Sequence, residues 1–520
     1  MSAPHQDDLD DTPELLDADD ALEEIVDTEG DVAMDSDDDE PEEINLQNDS
    51  VAYFDAHKDS VFAIAQHPTQ PSLIATGGSE GEGDDTPGRG YVFDTSPVVG
   101  RPLLPASYNA DPSGPTEARS IELKPLFTID GHTDSINTLA FTLPRGEFLV
   151  SGGLDGRLRA YRVALDARNT PSFAFAGESQ EVPEVNWLAP CPATTAHPNV
   201  VALGASDGSV WVYDIVGPET DPASPLQIVQ SYFLHTGPCT AGAWSPDGAL
   251  LATVSEDGSL YVWDVWGIAA ARGLANDNGQ TVVSLTTQDQ RFAVDGGLYS
   301  VAVDPRSAFV AVGGGGGAIK IVGLPRLGEG AAAGDHATPS RPSKAKAKGS
   351  DAGGAQGGQI LADLQTQSDG IETLSFAPPP RTLLAAGSVD GSVAVYDTAR
   401  RFAARRHLRA AHDEFSVVKV EFVPGGTADG WLLTSCGMDG VVRRWDLRAG
   451  AGAGAAAAEG ASGGSRPGGA SAPADPSLVG EWRGHRGDGE GGGVLGFVQG
   501  ATGERIVTAG DDGVVLVFEA

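Results

Sequence analysis

From about residue 50 onward, short apolar runs alternate with polar turns rich in Asp, Gly and Pro. Six of these runs open on an Asp-Gly pair and close on an aromatic residue. They read DGRLRAYR from Asp155, DGSVWVYD from Asp207, DGSLYVWD from Asp257, DGSVAVYD from Asp390, DGVVRRWD from Asp439 and DGVVLVFE from Asp512. In every copy the aromatic stands six residues after the Asp: Tyr161, Tyr213, Trp263, Tyr396, Trp445 and Phe518. Asp-Gly between apolar runs makes a hairpin turn, because Gly takes positive φ without penalty and the Asp side chain bonds the turn backbone. The alternation of Val210-Trp211-Val212-Tyr213 has the period of a strand, and an apolar strand such as Leu251-Ala252-Thr253-Val254 precedes each turn. The pattern predicts an all-β chain built from one repeated hairpin unit.

Further upstream, four copies carry a His just before another strand: His132, His235, His412 and His485. In all four a Ser or Thr stands four residues before the turn Asp. The sets are His132, Ser151, Asp155, Tyr161; His235, Thr253, Asp257, Trp263; His412, Ser435, Asp439, Trp445; and His485, Thr508, Asp512, Phe518. This constellation resembles the WD-repeat family, in which each repeat is one four-stranded propeller blade and these residues hydrogen-bond in series. Ser, His and Asp could also suggest a catalytic triad. A triad is needed once per enzyme, whereas this set recurs once per blade, so the structural reading is preferred. No tight His/Cys cluster suggests a metal, and no cofactor motif is found.

Two weaker repeats bring the count to eight. One pairs Leu73–Gly78 with Tyr91–Asp94, with His57 upstream; the other reads SAFVAVGGGGGAIKIVG from Ser307. The Gly313–Gly317 run lacks the Lys-Ser/Thr and the following helix of a phosphate loop, and reads as a degenerate hairpin turn. Because the chain ends on the strand Val514–Phe518, the outer strand of the eighth blade is expected from Ser50–Phe54. The expected architecture is an eight-bladed WD-repeat β-propeller over 50–520, preceded by a disordered acidic tail, 1–49. Insertions are expected near 100–120, 270–290, 326–366 and 448–480, the last two low in complexity.

Charge changes the picture. The formal net charge is −41, and residues 1–50 hold 21 Asp and Glu with no Lys or Arg, leaving about −20 on the remainder. Direct nucleic-acid binding is disfavoured, because a phosphate backbone rewards positive surface. A basic protein partner fits better. Three separated Cys (Cys191, Cys239, Cys436), no secretory apolar core and no long apolar run point to an intracellular protein without disulfides or a membrane span. The basic stretch SRPSKAKAKG is read as a solvated linker before a nuclear-import signal.

Several segments go beyond the generic repeat: AHKDSVFAIAQHPTQPSLIATGG after an acidic leader, TIDGHTDSINTLAF, AGESQEVPEVNWLAP, DGIETLSFAPPPRTLLAAGSVDGSVAVYD and TSCGMDGVVRRWDLRAG. In this order they resemble the angio-associated migratory cell protein family, whose fungal members are the Sqt-type ribosome assembly proteins. The resemblance implies a monomeric, non-enzymatic, cytoplasmic chaperone, with a nuclear pool also open. It would bind the basic N-terminal segment of a new large-subunit ribosomal protein, L10 (uL16), on an acidic face and deliver it to the pre-60S particle. Candidate contacts lie in the turns between second and third strands (Glu256, Asp511) and in or just after the loops leading into each blade. The latter are Asp59, Asp134, Glu184, Glu372, Asp413, Glu414 and Asp488. Asp59, Asp134 and Asp413 could instead cap their own loops. The competing reading is a general WD-repeat scaffold: a ubiquitin-ligase receptor, a signalling adaptor or a histone-binding propeller.

Overall fold

A computed structural model describes residues 48–81, 86–98, 120–193, 195–221, 224–327, 357–425, 430–448, 475–486 and 492–520. These form eight antiparallel blades around one axis, with strands in the order inner, second, third and outer. Blade one is Ala63–Gln66, Leu73–Ser79, Gly88–Asp94 and Pro125–Ile129. Blade four is Cys239–Trp244, Leu250–Ser255, Leu260–Asp264 and Thr281–Leu285. The eighth blade takes inner strands from the chain end, Val494–Val498, Arg505–Gly510 and Val515–Glu519, and its outer strand from Ala52–Phe54. Ala52 sits opposite Val517 and Phe54 opposite Val515, as the sequence pattern requires. A short strand, Ile121–Glu122, lies parallel on Ala52–Phe54 and makes this sheet five-stranded.

The apolar alternation explains where the core lies. Each blade is apolar on both faces, and each face is buried against the next blade. Eight hydrophobic clusters result, one at every junction around the ring. At the junction of blades three and four, for example, Trp187, Val200 and Val212 meet Cys239, Leu251 and Trp263. No blade can bury its own surface, so stability belongs to the assembled ring. All three cysteines are buried and free, and burial pushes the thiols of Cys239 and Cys436 up to about 12.

The degenerate fifth repeat is a full blade. Phe309–Gly314 and Ala318–Gly323 are its second and third strands, joined by a tight turn with Gly316 at φ 64° and Gly317 at φ 79°. A strand, not a helix, follows this glycine run.

Outer strands are where the boundaries differ from the sequence reading. The expected insertion 270–290 contains a short helix, Ile268–Ala271, and the outer strand of blade four, Thr281–Leu285. The described ends of the 326–366 and 448–480 spans are likewise outer strands, Ile360–Gln365 and Leu478–Trp482. Outer strands bury one face and pack loosely, so their alternation is faint beside Gly/Ala-rich neighbours. Residues 1–47, which hold most of the expected tail, 340–349 and the core of both low-complexity spans lie outside the described residues.

Ring closure rests on a short strand. Phe54 is 1% exposed and stacks on Phe93, with ring centroids 4.7 Å apart. Phe54→Ala is expected to cost about 3–5 kcal/mol. Urea unfolding monitored by Trp fluorescence should show one cooperative transition at a lower midpoint. An unchanged midpoint would mean that closure does not limit stability.

Candidate functional site

On one face of the disc, called upper here, the turn between second and third strands meets the loop leading into each blade. The repeated His set is what locks the two together. In blade seven, Trp445 Nε1 donates to Ser435 Oγ (2.9 Å), the hydroxyl bonds His412 Nε2 (2.8 Å), and His412 Nδ1 donates to Asp439 Oδ1 (2.8 Å). Burial lowers the His412 pKa and keeps the ring neutral, and each donor is then used once. Blades two and eight repeat the His links, His132 to Ser151 and Asp155, and His485 to Thr508 and Asp512.

The structure corrects the series in three copies. In blade four, His235 Nδ1 reaches Ser259 Oγ (2.6 Å), and Ser259 passes the link to Asp257 (2.5 Å); Trp263 and His235 both meet Thr253 as expected. In blade two, the Tyr161 hydroxyl donates to the Asp130 carbonyl (3.0 Å), because a phenol reaches further than an indole N–H. Phe518 has no donor, so the eighth set ends at Thr508. Blade six fills the His place with Gln367, which donates to Ser392 and thereby reaches Asp390. Blade one keeps His57 on Thr76 (2.9 Å), and His57 Nδ1 meets no partner among the described residues. The hydroxyls of Ser151, Thr253, Ser435 and Thr508 belong to residues 0% exposed, so none can act as a nucleophile on a substrate.

The turn Asp also holds the loop backbone. Thr133 N donates to Asp155, Thr236 N to Asp257 and Ser368 N to Asp390. The Gly after the Asp is needed twice in blades two, three and six, at Gly156, Gly208 and Gly391. Gly156 has φ 73°, and a Cβ there would stand 2.0 Å from the Val182 carbonyl oxygen of the next blade's leading loop. The upper face is therefore one continuous surface.

Where this face places the candidate carboxylates follows directly. Glu184, Glu256, Asp413 and Glu414 are exposed and share no hydrogen bond or ion pair with a described side chain. Asp59 and Asp134 are half-buried, and each gives one oxygen to the next backbone N–H, at Ser60 (2.8 Å) and Ser135 (2.6 Å). These two do cap their own loops, while Asp413 sits at φ 51° without such a bond. Asp511 accepts from Ser60 Oγ (2.6 Å) across the junction of blades eight and one, so part of its charge serves ring closure. Asp488 lies outside the described residues.

Glu372 is set apart by geometry. Seven inner strands bulge at the second residue, between Ile371 and Thr373 in blade six and at the matching place in blades two to five, seven and eight. A bulge re-aims a side chain, here toward the channel mouth. Several bulge residues stitch blades together: Asn186 Nδ2 donates to the Cys239 carbonyl (3.0 Å), and Thr240 Oγ1 to that of Leu298 (2.6 Å). Glu372 makes no such bond. Burial at the mouth, and then the charge of Asp369, push its carboxyl above the ordinary range. Asp369 and Gln367 were missed in the sequence. The signal for Asp369 was its place just before an inner strand, shared with Asp59 and Asp134.

Among the described residues, no group of three or more His, Cys, Asp or Glu could hold a metal ion. The arrangement offers several carboxylates on one face of the propeller, which suits binding of cations.

Comparison with known proteins agrees with the repeat and narrows it. The WD domain, G-beta repeat family matches residues 123–162, 226–264 and 358–397. The crystal structure of Chaetomium thermophilum Sqt1 bound to the N-terminus of the ribosomal protein L10 is 58% identical. It aligns over 91% of this chain and 100% of that one, with a TM-score of 0.74. The ribosome assembly protein SQT1 of Saccharomyces cerevisiae is 29% identical over 46% of this chain, an alignment that spans about half, 48%, of the yeast protein. The human angio-associated migratory cell protein is 23% identical over 78% of this chain and 71% of its own length.

The neutral His residues set a pH dependence of stability. Burial lowers His57 and His235 to about 4, and lowers His412 as well. Unfolded, each would protonate near 6.5, so the unfolded state binds more protons below that pH. This stability is fully present above pH 6.5 and is lost as pH falls toward 4, by up to about 1.4 kcal/mol per pH unit per His. Asp257 is opposed by burial but held down to about 2 by Ser259 and Thr236, so its share is lost only between 3.8 and 2. Urea midpoints should fall steadily from pH 7 to 4.5; a flat profile would contradict the neutral networks.

The same networks rank two substitutions. Asp257→Ala should cost about 1–3 kcal/mol. Asp439→Ala should cost more, toward the upper end of about 1–3 kcal/mol, because it also takes from buried Arg443 one of its two carboxylates, leaving it Glu481; Arg443 Nη1 lies 2.5 Å from Asp439 Oδ2. Equal costs in urea unfolding would show that Arg443 is satisfied without Asp439.

Proposed function

The chain belongs to the Sqt1 family of WD-repeat ribosome assembly proteins, and we propose that it is a dedicated chaperone for a basic ribosomal protein. It holds the N-terminal segment of L10 on its acidic upper face and releases it during large-subunit assembly. The observation that carries this reading is the set of carboxylates left over by the fold. Glu184, Glu256, Glu372, Asp413 and Glu414 line one face and serve no bond that the propeller needs. Arg and Lys side chains of a ribosomal protein, meant for RNA, would find charge-assisted hydrogen bonds there and be shielded from stray polyanions. Asp59 and Asp134 each keep an oxygen for the same use, and Asp511 contributes field more than contact. The work is binding, with no catalytic step, and its setting is the cytoplasm, where new ribosomal proteins emerge.

Glu372 gives the face a sensor-like element. A cation docking beside it favours its charged form, so affinity should decline with falling pH at a higher pH than an ordinary Glu would set. The acidic segment before residue 50 adds long-range attraction, and deleting residues 1–45 should slow association more than it speeds dissociation.

The decisive experiment is calorimetric titration with a synthetic peptide of the L10 N-terminus. Glu184→Lys with Glu372→Lys should weaken binding at least tenfold and leave the melting temperature within a few degrees, since both side chains are exposed and make no bond that the ring needs. Wild-type affinity should also fall as salt rises, because exposed charges are screened over about 8 Å at physiological ionic strength. Affinity indifferent to both salt and charge reversal would favour the general scaffold instead.

A further inference from the structure

One stretch of this acidic chain has the opposite sign. Residues 398–409 hold five Arg and no Asp or Glu, in a protein with 33 Lys and Arg against 74 Asp and Glu. They form the lower turn and outer strand of blade six, Thr398–Arg400 and Ala403–Leu408, so the charge climbs the side wall of the disc. The acidic upper face uses none of it.

The placement of these cations is built. Arg401 and Phe402 both adopt left-handed backbone, φ 56° and 57°, which is costly for residues other than Gly. Phe402 is 9% exposed and packs edge-on against Phe309 at 5.2 Å, so the turn is pinned while Arg401 points to solvent. A bulge in the outer strand turns Arg405 toward blade seven. There its guanidinium lies 4.7 Å from the Trp431 ring centroid, and Arg381 lies 4.6 Å from the same ring. Stacking of this kind holds the Arg405 guanidinium against the ring and leaves its N–H edge open to a ligand. Arg400 is 3.6 Å from Asp397 and Arg406 is 3.8 Å from Asp475, both loose pairs. Arg401, Arg405 and Arg409 are exposed and pair with no described carboxylate.

Cations on an outer strand commonly serve to discourage edge-to-edge pairing. One or two on the strand suffice for that. It accounts neither for Arg401 in the turn nor for Arg381 arriving from another loop to share Trp431. We infer that the wall of blade six, centred on Arg401, Arg405 and Arg409, is a second docking surface, and that its occupant is an acidic polypeptide segment of a partner protein. Arg forks match carboxylates in pairs. The choice of protein over RNA follows from number. Three unpaired cations fall short of the roughly six to ten phosphate contacts of a typical nucleic-acid binder. The two faces would let the protein hold a basic cargo and an acidic partner together without competition.

The test uses the full chain, a fluorescent 20-residue poly-L-glutamate, a 16-base-pair RNA duplex and the basic L10 peptide. Anisotropy in 0.1 M salt should show saturable binding of poly-glutamate. The triple variants Arg401→Gln/Arg405→Gln/Arg409→Gln and the same sites to Glu should lose it by at least tenfold. Both should keep wild-type binding of the basic peptide, which shows them folded and separates this surface from the upper face. No binding of poly-glutamate, equal binding by the triple variants, or tighter binding of the RNA duplex through the same residues would each overturn the inference. If the upper-face variant Glu184→Lys/Glu372→Lys loses the basic peptide while poly-glutamate binding stays within twofold, the two sites are independent. Failure of the basic peptide alone would count against the proposed cargo and leave this surface standing.

Discussion

Everything in this molecule depends on closing the ring with three residues from the front of the chain. Ala52–Phe54 complete the last blade against Val515–Val517, and the junction is reinforced on every level. Val61 N donates to the Gly510 carbonyl (3.0 Å), Ser60 Oγ to Asp511, and Phe54 stacks on Phe93. Open, the blades at the gap would expose both an apolar face and an unpaired edge. Closed, each apolar face has a neighbour, and eight junction cores replace the single core of an ordinary domain. A sum of nearest-neighbour interfaces has no weak end once it is circular.

The upper face inherits its shape from the same closure. The turn of one blade and the loop of the next touch at distances where only Gly fits, as at Gly156, Gly208 and Gly391. The carboxylates around the channel are thus spaced by the packing of the junctions below them. Asp511 shows the coupling most plainly, since it is both a residue of that face and a hydrogen-bond acceptor at the seam. Binding energy spent on a cationic ligand would in turn tighten the ring, because the loops that carry the carboxylates are those that lock the blades.

Much of this was legible in the sequence because the repeat imposes its grammar at fixed spacing. Asp-Gly, the upstream His and the aromatic six residues on gave the blade count, the seam and the His-to-hydroxyl link of four networks, while the full series from aromatic to Asp holds in blade seven. The illegible parts share physical reasons. Outer strands such as Ile360–Gln365 bury alternate residues only partly, so the alternation that marks a strand fades. Gln367 replaces His with another side chain that can donate to Ser392, a substitution invisible to a search for His. Ser259 enters the blade-four network because it stands two residues after the Asp, where any small residue would look like ordinary turn composition. The candidate carboxylates could be assigned to a face from topology and sorted in part: of the three read as capping their own loops, Asp59 and Asp134 do so and Asp413 does not.

Sorting by use is what distinguishes function from architecture in a repeat protein. A propeller of this size must carry many Asp residues simply to make its turns, so acidity alone says little. Asp155, Asp257 and Asp439 are consumed by backbone N–H groups, His rings and Ser259, and their charge is shielded within the turns. Five carboxylates without such a use, Glu184, Glu256, Glu372, Asp413 and Glu414, lie on the upper face, and three guanidinium groups without a described carboxylate, Arg401, Arg405 and Arg409, lie on the wall of blade six. Opposite signs kept on separate surfaces avoid neutralising each other. A mixed surface of the same composition would have collapsed into intramolecular ion pairs and presented neither charge to a partner.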